Sequence, residues 1–517
     1  MKKGILFSLI AGLCPFIASA QGALDAYNLS QTELRGTARY MSMAGAYGAL
    51  GGDLSSINQN PGGIGVYRSS DFGITLDLNL KSAKESTSAG VNNTVFSCNN
   101  VGYVGAFRTK SKTVPNMNWG FSYNRLASFN RHTRGGMGNL QSSLSNYIAG
   151  ATNSDGYNDK EISEGYRGVA PWLSILAYDS FAINPDSEGY NFQGLYGDGT
   201  YGDAAFETVE SGGIDEYNFN LGGNAYNKLY WGIAFGVLDI NYYANTYYTE
   251  NLNDAYLIDD QGNFSRGYAD WSLSNSLHTS GVGYNFKMGF IFKPINALRL
   301  GFAFHTPTFM SLRDDYYAES FFEQGNGTRG DAKTDFGNTW YKIQTPWKFN
   351  ASAAVVLGRK AIVSFEYQYT GYQTMKVYDD ADMEYLDVAS DIKTYYKATN
   401  TFKIGAEYRI SNKFSARLGY SYETSPVTAE AMENKVNIFT SGTMPAYNLV
   451  KNTQYVTAGL GYKFEKLYMD LAYVHKSRDN EYHAFSPVPY EGGVEPTPTA
   501  YVKDSNNQIV LSVGIRF

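Results

Sequence analysis

Five histidines and two cysteines are the whole supply of imidazole and thiol in this chain of 517 residues. Their spacing suits neither metal binding nor nucleophilic catalysis. His132, His278, His305, His475 and His483 are scattered, with no pair at the spacing that one helix face would present to a metal. No G-x-S-x-G elbow is present. Cys14 falls in an apolar leader, which leaves Cys98 alone, so neither an internal disulfide framework nor a cysteine metal cluster can form. The reading is of a non-enzyme without cofactors. What remains is the chemistry of surfaces: 44 Tyr, 30 Phe and 54 Gly against only 14 Pro.

The elements that carry these residues follow from hydropathy. Residues 1–20 have a basic start (Lys2, Lys3), an apolar run and Ala18-Ser19-Ala20 before Gln21, which predicts a secretory signal peptide. After it, no apolar run approaches the roughly 18 residues that a membrane helix needs. Mean hydropathy is negative. An exported chain with dispersed hydrophobicity and many Gly and Tyr has the composition of a transmembrane β-barrel, whose lipid-facing and lumen-facing residues alternate. The net charge of -7, with no basic stripe, argues against nucleic acid.

Period-two patterning supports this. In 71–80, Phe72, Ile74, Leu76, Leu78 and Leu80 alternate with Gly73, Thr75, Asp77 and Asn79. Similar segments lie near 101–108, 117–126, 214–225, 228–238, 281–293, 297–306, 346–357, 360–370, 401–410, 413–423, 454–464, 467–475 and 508–517, which makes fourteen. The connections between them alternate long and short. The long ones are 127–213, the longest, then 239–280, 307–345, 371–400, 424–453 and 476–507. Short periplasmic turns, long external loops and an even strand number describe an outer-membrane barrel of a Gram-negative bacterium. The final strand ends on Phe517 on its apolar face, resembling the signature read by barrel-assembly machinery. Aromatics at 119–123, 229–231 and 420–422 suit the membrane interfaces, although Tyr and Trp also favour strands in general.

Residues 21–70 form a separate unit, too short for a free domain and too apolar for a disordered tail. The Ala/Met/Gly-rich stretch from about Gly36 predicts a helix packed closely against a wall, a plug inside the lumen. Here the residues resemble a known family. "GTARYMSMAGAYGALGGDLSSINQNPGGI", 36–64, is similar to the N-terminal hatch of the FadL/TodX family of outer-membrane channels for hydrophobic compounds. Arg39, Gly45, Ala46, Asp53, Asn60 and Pro61 match that pattern in order. Gly62 departs from it, standing where the family has Ala, and Gly52-Asp53 stands where many members carry paired acids. The resemblance implies an all-β, fourteen-stranded antiparallel barrel with an N-terminal helical hatch inside the lumen.

It also implies a mechanism: capture of long-chain fatty acids or similar apolar molecules by external loops, an internal pocket, hatch movement, and sideways exit near the third strand by diffusion. Candidate ligand-binding residues are Leu24 and Tyr27, placed as the family's apolar N-terminal residues are, and Trp172, Ile175, Leu176 and Phe181 in "PWLSILAYDSF". That stretch has helical spacing and suits either a ligand groove or a cap on the barrel. Arg39, Asp53, Asn60, Pro61 and Gly62 are hatch or gate candidates, with Asn60 expected to satisfy backbone groups at the proline turn near the lateral exit. Expected partners are a hydrophobic ligand, outer-membrane lipid and lipopolysaccharide, with the chain monomeric. Competing readings are a barrel hydrolase using His305 or His475 at the outer rim, a binding or assembly role in protein secretion, and haem capture. A receptor with about 22 strands and a large plug does not fit this length.

Overall fold

The computed structural model describes residues 22–85, 90–258, 264–325, 327–358, 360–440, 442–490, 493–495 and 497–517. The expected signal peptide lies outside the described residues. Among those residues, fourteen antiparallel strands close into a barrel. They are β1 Asp71–Glu85, β2 Val91–Arg108, β3 Asn116–Ser128, β4 Tyr201–Ala225, β5 Leu229–Ile258, β6 Phe264–Ile295 and β7 Leu298–His305. The second half comprises β8 Lys348–Leu357, β9 Ala361–Thr370, β10 Thr399–Arg409, β11 Phe414–Glu423, β12 Tyr447–Lys463, β13 Leu467–His483 and β14 Thr499–Arg516. Each pairs with its sequence neighbour, and closure comes from β1 against β14, in register from Asp71↔Arg516 to Glu85↔Val502.

The wall is inside out relative to a soluble protein. On β6, Val282, Tyr284, Phe286, Met288, Phe290 and Phe292 are exposed, while Asn285 and Lys287 between them are buried. An exposed apolar belt around a buried polar interior is stable only when lipid replaces water outside.

All fourteen strand segments expected from periodicity lie on barrel strands. The long connections differ from expectation. β5 runs to Ile258 and β6 begins at Phe264, so 239–280 is mostly paired sheet rather than loop. Strands also fill much of 307–345 and 476–507. Beyond the apolar belt the outer face of β5 turns polar, as Asp239, Asn241 and Asn245 show. The apolar alternation therefore fades while the strand continues into water. Within 127–213, helices α4 Leu144–Ser154, α5 Asp159–Ser163 and α6 Trp172–Asp179 build a cap over the lumen, numbered after three short helices of the N-terminal segment.

That segment occupies the lumen. It contains α1 Ala23–Ser30, α2 Ala38–Met41 and α3 Ser56–Gln59, then a 3-10 turn over Pro61–Val66. The helix expected from Gly36 is a single turn. Ala44 and Gly45 adopt positive φ (50° and 73°), and Gly51 and Gly52 do the same (63° and 70°), which breaks helical continuity. Two further helices lie in external loops, α7 Leu386–Tyr395 and α8 Ala429–Met432.

Candidate functional site: a lumenal cavity and a gap in the wall

The barrel wall is incomplete between β2 and β3. These strands pair only from Asn100↔Asn124 to Arg108↔Asn116. Above that point β3 follows β4 alone, with a register shift between Arg125 and Ala127. Its continuation, Arg131–Met137, also stays with β4. This continuation swings inward, where Arg131 reaches Asp504 on β14 at 3.2 Å. Residues 91–98 of β2 pair with β1, Asn99 is skipped at a register shift, and none of them has a strand partner on the other side among the described residues.

A cavity of about 230 Å³ lies behind this gap. Both edges line it, Val91 and Asn93 from β2 and Ala127 to Phe129 from the other side, together with Leu24 and Tyr27 of α1. Tyr27 is held by stacking on Tyr396 (centroids 4.8 Å apart) and by an edge contact to Tyr372 (5.1 Å). Beside the gap lies a charged rim. Arg131 pairs with Glu210 at 2.6 Å, Arg478 with Asp504 at 3.2 Å, and Lys476 with Glu33 at 2.8 Å. Lys81 donates to the Ser128 carbonyl at 3.0 Å and, without a direct ion pair among the described residues, lies close enough to Glu33 to favour its charged form.

The chain between α1 and α2 crosses the gap as a strap. The Glu33 amide donates to the Leu126 carbonyl at 2.8 Å. The Ser128 amide donates to the Glu33 carboxylate at 3.2 Å. Arg35 binds Glu33, Asp77 and Asn99 at 2.9, 3.3 and 2.9 Å. The strap thus bonds the β3 edge that β2 leaves free and ties it to β1 and β13. Burial works against the ionised Glu33, but Lys476, Arg35 and Lys81 outweigh it and hold its carboxyl well below the usual range.

The sequence-chosen hatch residues lie elsewhere in the lumen. Arg39 makes a bidentate pair with Glu407 (3.0 and 3.1 Å), and Arg417 joins Glu407 to Asp470 at 2.6 Å each. Asp53 accepts from the Thr37 hydroxyl and from the Ser55 and Ser56 amides, closing a loop within the hatch. Asn60 caps the proline turn by accepting from the Gly62 amide at 3.0 Å. Its amide group donates to the carbonyls of Gly48 (2.6 Å) and Phe290 (3.1 Å). The turn at Asn60, Pro61 and Gly62 therefore sits against β5 and β6, away from the gap between β2 and β3. A Cβ on Gly62 would lie 2.8 Å from the Gly289 carbonyl oxygen.

In the cap, Ile175 and Leu176 are fully buried among Leu144, Ile148, Trp271 and Phe322, and line neither this upper cavity nor a second one lower in the lumen. Trp172 packs on Tyr316 (5.5 Å), which does line the upper cavity, so it stands one layer behind it. Phe181 is exposed, with φ of 64°. His305 donates to the Gln59 carbonyl at 2.9 Å, and His475 contacts Asn507 at 2.9 Å, so both serve as hydrogen-bonding residues. Sequence reasoning missed Glu33, Arg35 and Lys81. The available clue was a charged pair, Glu33 and Arg35, inside an otherwise apolar plug.

Residues 235–484 match the family model of the outer membrane protein transport proteins, OMPP1/FadL/TodX. No curated protein matches the chain by sequence. The fold is similar to the crystal structure of a FadL homologue from Pseudomonas aeruginosa, with 12% identity, 94% of this chain and 99% of that chain covered, and a TM-score of 0.52. The toluene transporter TodX of P. putida gives 12%, 94%, 99% and 0.49. TbuX, the toluene transporter of Ralstonia pickettii, gives 14%, 94%, 99% and 0.46. Over residues 235–484 the chain is thus similar in sequence to the OMPP1/FadL/TodX outer membrane transport proteins, and its closed fourteen-stranded wall around a lumenal N-terminal segment is that of a Gram-negative outer-membrane barrel.

Proposed function

We propose that this protein is a diffusive channel for hydrophobic small molecules, long-chain fatty acids among them, with the upper cavity as its binding site and the gap between β2 and β3 as its lateral exit. The supporting observation is that one cavity touches both unpaired edges of the wall, so a bound molecule has a short path to the lipid. A lateral route suits an apolar solute because it passes from the cavity into hydrocarbon without crossing the periplasmic water. The channel performs no chemistry on its cargo, and the strap 31–35 is its gate. Leu24 and Tyr27 contact the ligand, while Trp172, Ile175 and Leu176 hold the cap that shapes the cavity from above. Asn60, Pro61 and Gly62 anchor the hatch while the strap moves. The chain acts as a monomer and reaches the membrane through assembly machinery that reads its last strand.

Lys81 gives the cavity a cation for a carboxylate head, which favours a fatty acid over a neutral hydrocarbon. Native mass spectrometry of the purified barrel with oleate and with toluene tests the assignment. Lys81→Met is expected to weaken oleate binding about tenfold, equivalent to about 1.4 kcal/mol, and to leave toluene binding unchanged. Equal loss of both ligands contradicts a head-group role for Lys81. Absence of binding by the parent barrel contradicts the channel reading itself.

A further inference from the structure

The lumen holds a second polar feature, separate from the apolar route. On β3 the inward residues are Asn116, Asn118, Gly120, Ser122 and Asn124. On β4 they are Glu216, Asn218, Asn220, Gly222 and Asn224. The two strands are in register, with Asn116 opposite Asn224 and Asn124 opposite Glu216. The result is a ladder of amides about 26 Å long, at the usual rise per residue. Its upper end opens into a lower cavity of about 170 Å³ lined by Asn124, Glu216, Asn285 and Lys287. Its lower end adjoins the short turn between β4 and β5.

These amides are buried, yet many lack protein partners. Both amide atoms of Asn220 and of Asn224 make no hydrogen bond among the described residues, nor do Asn116 Nδ2, Asn118 Oδ1 and Asn218 Oδ1. Asn220 and Asn224 are 4% and 0% exposed. Buried amides are almost always bonded to protein or to ordered water, and a row of them repeats the same demand at every step. One apolar group interrupts the row. Ile64 of the hatch presses into the space left by two glycines: a Cβ on Gly222 would lie 2.6 Å from Ile64 Cγ2, and one on Gly120 would lie 3.3 Å from Ile64 Cδ1. The Asn118 amide group holds it there by donating to the Ile64 carbonyl at 2.6 Å.

We propose that the β3–β4 ladder binds a file of water joining the lower cavity to the periplasm, and that Ile64 is the stopper that keeps this file from conducting ions. Polar groups above and below hold water, and a single branched aliphatic side chain breaks its continuity. The file lies on the hatch face against β3 and β4, so its opening is independent of the strap at the β2–β3 gap.

Planar-bilayer conductance in potassium chloride tests this on the full chain. Ile64→Ala is expected to raise conductance several-fold over the parent. Leu54→Ala provides a matched control, since Leu54 belongs to the same apolar cluster but sits on Gly73 and Gly102, off the ladder. It is expected to leave conductance at the parent level. Adding Asn220→Leu to Ile64→Ala is expected to return conductance to that level. A rise with Leu54→Ala equal to that with Ile64→Ala, or no effect of Asn220→Leu, overturns the proposal. If Ile64→Ala fails to fold, thiol labelling in a Cys98→Ala chain decides. A cysteine at Asn220 should react with a small charged methanethiosulfonate while one at Leu54 stays protected. Equal protection of the two overturns the water file.

Discussion

Gly62 stands where a methyl group has no room. Its backbone lies against Gly289 and Phe290 of β6, and an added Cβ would come within 2.9 Å of main-chain atoms that cannot rotate away. The departure from the FadL/TodX pattern at this position therefore has a packing cause: here the proline turn is pressed onto the wall. Asn60 shows how much of a residue's role sequence can reveal. Its cap on the turn follows from the Asn-Pro-Gly order alone. Its bond to Phe290 does not, because that partner is 230 residues away. Gly62→Ala is expected to cost the hatch about 1–3 kcal/mol through overpacking. The barrel should stay heat-modifiable while its basal conductance rises. Parent-like conductance with a folded barrel contradicts this reading of the contact.

At the scale of elements, legibility depended on whether a signal was local. Each transmembrane strand repeats an apolar residue at every second position, so the strands could be counted from sequence. The upper part of β5 could not be, because in water its outer face no longer needs to be apolar. The gap between β2 and β3 was invisible for another reason: an unpaired edge is a property of two strands, not of either sequence. The strap is equally nonlocal, with Glu33 answering Lys476 and Arg35 answering Asp77. Glu33 has a depressed carboxyl in the folded state, so its contribution is present above the unfolded value of about 4.3 and is lost only as pH falls through the lower folded value. Strap release, followed by labelling of a cysteine at Ala127 in a Cys98→Ala chain, should therefore stay flat from pH 8 to about 5 and increase only in strong acid. Glu33→Ala leaves Lys476 buried without its partner, at a cost of about 3 kcal/mol or more, and should release the strap at neutral pH. Release that begins near pH 7 in the parent chain contradicts the latch.

At the scale of the whole molecule, the design is a polar lumen inside an apolar cylinder, closed below by a hatch and above by a cap. Ion pairs distribute the hatch's attachment around the wall: Arg39 to β10, Arg35 to β1 and Glu33 to β13. Removing residues 21–60 takes away all three. The truncated barrel should pass small polar solutes that the parent excludes, and a truncated barrel that stays closed in a liposome-swelling assay contradicts a lumenal plug.

The exit proposed for apolar cargo is the β2–β3 gap. Ala127 lies on the gap edge, 3% exposed, and lines the cavity. Ala127→Trp fills that opening from a position between Leu126 and Ser128, whose backbone bonds Glu33 of the strap, and away from the hatch contacts on β5 and β6. Uptake of radiolabelled oleate should be measured in cells that depend on this channel, with surface expression and heat-modifiability matched. Uptake reduced to the level of channel-free cells is the predicted result; uptake equal to the parent chain with the opening filled would contradict a lateral exit.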